Sequence, residues 1–194
     1  MSLALWRSTL AHALHRNRSL VYARYLQLAT VRANGSPANR TVVFRGFLED
    51  SNQLKFITDI RSEKADQIEN DSAAEVCWYF PKTREQFRIT GDLTLVNGDD
   101  SYPDLQPARI KMWQELSDAA RLQFAWPNSG KPRVKEPEAF TPPAPDAIQP
   151  LANFCLLLLE PIQVDHLELR GEPQNRRIYR FDKNQGWFCA EINP

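Results

Sequence analysis

The chain is short of the residues that build redox and metal centres. Its three cysteines, Cys77, Cys155 and Cys189, are far apart and each sits among apolar or aromatic neighbours. No C-x-x-C pair offers a zinc site or a redox dithiol, and all three read as buried free thiols. His12 and His15 fall on a helical stretch and His166 stands alone, without metal-ligand spacing to an acidic partner, so no metal is expected. An excess of charge of one sign is missing too. Lys+Arg and Asp+Glu balance at 24 each, which leaves no global field to draw the protein onto nucleic acid or an anionic membrane. Any anion site must therefore be local. The longest apolar run, residues 154–159, is far too short to cross a bilayer and reads as a buried strand. The opening twenty residues scatter Arg7, His12, His15, Arg16 and Arg18 through an amphipathic pattern, unlike a signal peptide, so a cytoplasmic protein is expected. There is no internal repeat, P-loop, dinucleotide glycine fingerprint, Ser-x-x-Lys pair or His-Glu-x-x-His motif.

What is present is an ordinary globular composition, 42% hydrophobic and 25% charged over 194 residues, which suits a single domain spanning 1–194. Trp6, Leu10, Ala13 and Leu14 recur at helical spacing and predict a helix over 3–16. Alternating stretches predict strands at 25–31, 40–47, 54–58, 73–80 and 85–96, with a short helix over 62–68 for which Ser62 is a plausible N-cap. Residues 105–125 turn helical, with Ile110, Trp113, Leu116 and Leu122 on one stripe, and 127–150 is a proline-rich loop. Strands around 153–168, 176–181 and 186–189 close the chain. The order describes an α+β protein, mainly β: an antiparallel barrel decorated by helices.

Chemistry concentrates between Pro37 and Gly91. Arg40 opens a strand, Thr58 ends one, Ser62 and Lys64 begin a helix, and Arg88 sits in a later strand. A helix N-terminus adds free amide donors and the positive end of the helix dipole, so 62–64 is suited to an anion. Spacing alone leaves a second reading open, in which each of these is a solvated surface charge. A third set, Trp78, Tyr79, Phe80 and Phe87 among Lys82, Arg84 and Arg88, has the make-up of a stacking platform for single-stranded nucleic acid. Aromatics at alternate strand positions are usually core, however, and the neutral chain speaks against a nucleic-acid partner.

Four motifs in order, Pro37-x-x-Arg40-Thr41-Val42-Val43-x-Arg45-Gly46-Phe47, Phe56-Ile57-Thr58-Asp59-x-x-Ser62-x-Lys64, Trp78-Tyr79-Phe80-Pro81 and Gln86-Phe87-Arg88-Ile89-Thr90-Gly91, resemble the flavin-binding core of the pyridoxamine 5′-phosphate oxidase family. The resemblance is to its oxidase-related branch, whose members share a Trp-Pro as at Trp126-Pro127. It implies an FMN-binding split β-barrel, Greek-key-like, working as a homodimer with flavin at the subunit interface. It further implies that Arg40 and Lys64 hold the FMN phosphate with Ser62 nearby, that Thr58 ends its strand beside the cofactor, and that the backbone of Thr41, Val42 and Val43 runs along the ring. Gln86 and Arg88 would serve the neighbouring subunit's flavin, and Arg177 falls on a flavin-contacting arginine. Glu63 stands where the family usually has a second arginine, and Leu167 replaces a tryptophan. The family's Arg-x-His that holds the vitamin phosphate aligns with Pro173-Gln174-Asn175, and its Tyr, Arg and Ser clamp has no secure counterparts among Tyr102, Arg109 and Ser117. The expectation is an FMN-dependent oxidoreductase acting on a small molecule other than pyridoxamine phosphate, with no catalytic side chain assigned. The alternative is a non-catalytic carrier module for flavin or haem. Arg45 aligns with a lysine that touches substrate and either faces the pocket or ends a solvated strand, and Trp126 either fills the core or caps the flavin.

Overall fold

The computed structural model describes residues 3–99 and 101–194. Helix α1 (Leu5–Asn17) leads into strands β1 (Tyr25–Val31), β2 (Pro37–Val43) and β3 (Leu54–Asp59), then helix α2 (Glu63–Asn70). Strands β4 (Ala73–Phe80) and β5 (Glu85–Val96) follow, then helices α3 (Gln106–Gln114) and α4 (Asp118–Leu122) and strands β6 (Phe154–Glu168), β7 (Asn175–Asp182) and β8 (Gly186–Ile192). Every pairing is antiparallel, in the order β2-β1-β4-β5-β6-β7-β8, with β3 also paired to β6.

The 15-residue β6 organises the barrel. One edge pairs with β5 throughout, while the other is divided: residues 154–159 take β3 and residues 163–168 take β7. Beyond β2 the chain runs on to meet β3: Arg45 N donates to the Lys55 carbonyl (2.9 Å) and Lys55 N donates to that of Gly46 (2.8 Å). These bonds join β2 to β3 and close the ring. The sequence predicts one strand over 40–47; the regular ladder to β1 instead runs 37–43, because 45–46 changes partner.

Alternation along β6 explains its apolar run. Leu157 and Leu159 enter the main core with Trp6, Leu10, Trp78, Phe80 and Phe87, whereas Phe154, Leu156 and Leu158 enter a second cluster with Met112, Trp113 and Phe124 beneath α3 and α4. A strand covered on both faces has no polar side to show. Trp78, Phe80 and Phe87 are fully buried, so the stacking platform considered for nucleic acid is core, and Tyr79 is its one exposed member. Gly91 sits at a bulge against β6, where an added Cβ would lie 2.0 Å from the Glu160 carbonyl oxygen.

The helix expected over 105–125 is two helices. Ser117 adopts extended backbone and its Oγ accepts from Ala120 N (3.3 Å), so the residue starts α4 rather than continuing α3. The thiols also differ from expectation: Cys155 is buried, Cys77 is half-buried and Cys189, on the terminal strand β8, is exposed. Among the described residues no helix is long and apolar enough to cross a membrane.

Candidate cofactor and substrate site

The inward-facing positions of β3 end at Thr58, which is buried, and the chain turns through Ile60-Arg61-Ser62 into α2. Lys64 Nζ donates to Thr58 Oγ1 and, at 3.2 Å, to Ser62 Oγ; the two hydroxyl oxygens are 3.3 Å apart. Ser62 does not cap α2 with its side chain but donates to the Asp59 carbonyl (2.7 Å); Ala65 N donates to the Ser62 carbonyl (2.9 Å), and the Glu63 and Lys64 amides are left without a partner among the described residues. Behind this cluster, Arg40 is held by the Leu28 and Ala38 carbonyls, by Thr30 Oγ1 and by Gln67 Oε1 (2.9 Å). Burial, with the Arg40 charge as the next contribution, lowers the Lys64 ammonium from 10.5 to about 8. Two hydroxyls, an ammonium held against its preference, a nearby guanidinium and a helix N-terminus form a donor set short of one anion. That chemistry fits a phosphate monoester.

The cluster lines a cleft of about 690 Å³. Its other walls come from Arg45 and Arg61, from Phe124, Trp126 and Pro127, and from the excursion through Lys131, Arg133 and Phe140. Arg61 fixes this second wall. Its guanidinium takes both oxygens of Asp59 (2.6–3.1 Å) and also donates to the Phe124 carbonyl (3.0 Å), the Trp126 carbonyl (3.1 Å) and Asn128 Oδ1 (2.9 Å). Asn153 Nδ2 reinforces it by donating to Asp59 Oδ2 (2.7 Å) and the Phe124 carbonyl (2.9 Å). Burial alone would raise the Asp59 carboxyl; the bonds from Arg61 and Asn153 overcome it and hold the group below the usual range.

The expected residues thus fall into separate places. Thr58, Ser62 and Lys64 meet in the cleft, with Arg40 behind them. Arg45 and Trp126 both line it. Thr41, Val42 and Val43 lie on β2 and are not among the residues lining the cleft, with Val42 in the core. Gln86 and Arg88 point from β5 to the outer face of the sheet, where Arg88 pairs with Asp165. Arg176 shares this face, opposite Leu167, and completes the group through Asp165 (2.8 Å). Arg177 points the other way: it is registered opposite His166 and engaged by Glu168 (3.5 Å) and Glu191 (3.3 Å). Glu63 turns outward to Arg32 (3.2 Å) and Gln67 (2.7 Å) and takes no part in the cleft. Arg109 is buried and donates to the Phe154 and Leu151 carbonyls (2.9 Å each), Ser117 caps α4 and Tyr102 is exposed; none of the three lines the cleft.

His166 is not isolated, as its sequence position suggests. Its Nε2 lies 3.0 Å from Glu85 Oε2, the ring stacks on Phe87 at 4.2 Å, and Glu85, His166 and Glu168 place ligand-type atoms within 4.8 Å of one another. The partner is 81 residues away in sequence, beyond the reach of local spacing. Sequence reasoning also missed Arg61, Lys131 and Arg133. Arg61 carried a local signal, since a carboxylate two residues earlier in a strand-to-helix turn is a ready bidentate partner.

A closed antiparallel barrel with a phosphate-type cradle at the β3–α2 junction defines the FMN-binding split barrels as the class of this fold and site. The chain belongs to the pyridoxamine 5′-phosphate oxidase-related, FMN-binding family: residues 3–97 match the pyridoxamine 5′-phosphate oxidase FMN-binding domain. It is 36% identical over 196 residues to pyridoxine/pyridoxamine 5′-phosphate oxidase 2 of Arabidopsis thaliana, covering 98% of each chain. Among solved structures, a pyridoxamine 5′-phosphate oxidase-related, FMN-binding protein of Nostoc punctiforme is 72% identical over 100% of both chains, with a TM-score of 0.98. PhzG of Burkholderia lata, solved with tetrahydrophenazine-1-carboxylic acid, shares the fold at 20% identity, with a TM-score of 0.76 over 98% of this chain and 91% of its own.

Proposed function

We propose that the protein binds FMN and uses it as an oxidoreductase on a small molecule other than pyridoxamine phosphate. The observation that carries the cofactor is the Thr58–Ser62–Lys64 cluster, in which a half-buried ammonium is held among hydroxyls at a helix N-terminus with no carboxylate bonded to it among the described residues. Lys64 and the hydroxyls of Thr58 and Ser62 hold the phosphate, and Arg40 keeps the local potential positive while bracing β1, β2 and α2 through Thr30 and Gln67. Bound there, FMN supplies the hydride and electron transfer that the side chains themselves lack.

Gln86 and Arg88 reach a flavin only from a second copy of the chain, because they stand on the sheet face outside the cleft. Exposed apolar side chains on that face, Tyr25, Tyr79, Phe188 and Ile192, support a homodimer built there. Arg176, which shares Asp165 with Arg88, is better placed than Arg177 to join them. That the substrate is not pyridoxamine phosphate is supported by Tyr102, Arg109 and Ser117, which are exposed, buried against carbonyls and engaged as a cap, respectively. The test is anaerobic mixing of FMN-loaded protein with NADH or NADPH, followed by oxygen or a dye. Bleaching and recovery of the flavin band over many cycles is expected, without turnover of pyridoxamine phosphate; a flavin that no donor reduces would leave a carrier.

A further inference from the structure

Glu85 opens β5 and Glu168 closes β6, and the two are registered directly opposite one another. Like charges facing across a ladder destabilise it, and a cation between them reverses the sign. Alternate residues of a strand share a face, so Phe87 and His166 stand on the same side as the two glutamates. His166 is 1% exposed, its ring stacks on Phe87, and its Nε2 lies 3.0 Å from Glu85 Oε2. Glu85, His166 and Glu168 each bring a ligand-type atom within 4.8 Å of the other two. Neighbouring donors around a four-coordinate zinc ion, with bonds of about 2.1 Å, stand about 3.4 Å apart. The His166–Glu85 pair is already near that spacing, and Glu168, a third exposed, has at most about 1.4 Å to close. Both carboxylates line a pocket of about 280 Å³ between α1 and the sheet, which gives an ion a way in. His166 Nδ1 has no hydrogen-bond partner among the described residues. No protein group therefore fixes the tautomer, and Nε2 can present its lone pair while the proton rests on Nδ1. Arg177 reaches Glu168 at 3.5 Å, but it keeps Glu191 (3.3 Å) when Glu168 is taken.

We propose that Glu85, His166 and Glu168 bind a divalent ion of the zinc type, with water completing its shell, and that the ion clamps the adjoining ends of β5 and β6 beneath α1. The site shares no lining residue with the cleft and does not depend on the flavin reading. An imidazole beside two carboxylates favours zinc over calcium or magnesium. Those ions take six or more ligands, mostly oxygen, and more negative charge than a pocket that also holds Arg16 supplies.

The experiment strips the full chain with a chelator, dialyses it and titrates Zn²⁺ by calorimetry, with Ca²⁺ and Mg²⁺ in parallel; thermal unfolding is followed with and without zinc. One equivalent of zinc should bind and raise the unfolding temperature, because only the folded chain brings the three ligands together. Calcium and magnesium should bind at least about a hundredfold more weakly. Glu168→Gln, a conservative change on a partly exposed side chain, and His166→Gln should each weaken zinc by about tenfold or more and lose the thermal shift, with circular dichroism to check folding. If the buried His166→Gln change prevents folding, Glu168→Gln decides alone. His12→Ala, which breaks the exposed His12 and His15 pair of α1, should leave zinc affinity within about threefold. No stoichiometric zinc binding, zinc binding undiminished in Glu168→Gln, or calcium held as tightly as zinc overturns the site. Binding that survives Glu168→Gln and is lost in His12→Ala belongs to the helix surface and overturns it as well.

Discussion

FMN affinity should fall with rising pH because of one residue, Lys64. Its ammonium is lowered from 10.5 to about 8 by burial and then by Arg40, so carrying its charge without an anion costs about 3 kcal/mol. A phosphate bonded to Nζ reverses that preference and restores the proton. Above about pH 7 the phosphate stays dianionic, since its second pKa is about 6, so the ligand contributes no slope. The free protein loses the Lys64 proton as pH passes about 8 whereas the complex keeps it to about its ordinary 10.5, and binding then takes up one proton. The dissociation constant should rise by about 20-fold between about pH 7.5 and 9.5, approaching tenfold per pH unit. Stability of the flavin-free protein has the opposite sign. Between about 8 and 10.5 the unfolded chain binds more protons than the folded one, so this group's contribution rises with pH. Fluorescence titration of flavin-free protein with FMN across this range measures the first trend and denaturant unfolding measures the second, with Lys64→Met as control in both. The variant should bind about tenfold or more weakly at neutral pH and lose the slope. A flat profile in the unmutated protein, or an unchanged slope in the variant, would refute the reasoning.

Other consequences are independent of the cofactor. Gly91→Ala places a Cβ 2.0 Å from the Glu160 carbonyl oxygen, a backbone collision that no rotamer relieves; a loss of about 3 kcal/mol or more is expected in denaturant unfolding. Burial would raise the Asp165 carboxyl, but bonds from Arg176 and Arg88 hold it below its usual value. Its contribution to stability is thus complete above the unfolded value and lost as pH falls through the folded one, and Asp165→Asn should flatten the acid limb of a stability–pH curve. A thiol reagent should label exposed Cys189 first and half-buried Cys77 slowly, and leave Cys155, pushed up to about 12 chiefly by burial, unmodified in the native protein.

The barrel was legible because its strands alternate cleanly and its turns carry the expected residues; every expected strand is present within a few positions. Thr58, Ser62 and Lys64 were open to two readings from spacing and were singled out by the family resemblance; they meet because they lie within seven residues of one another across a strand-to-helix turn. Residues joined by long-range packing were not legible. Arg61 depends on carbonyls 63 and 65 positions away, and His166 on a glutamate 81 positions away. The face of a β-residue is decided by a single step of register, which is why Arg176 and Arg177, adjacent in sequence, point to opposite sides. Lys131 and Arg133, which line the cleft, read in the sequence as solvated loop charges for a similar reason.

The most direct test of the phosphate cradle compares FMN with riboflavin, which has the same ring and lacks the phosphate, in titrations of the flavin-free protein. Two charge-assisted contacts amount to about a hundredfold or more in affinity, so FMN should bind at least that much more tightly, and Lys64→Met with Arg40→Gln should remove most of the difference. Equal affinity for the two flavins, or no binding of FMN, would contradict the account.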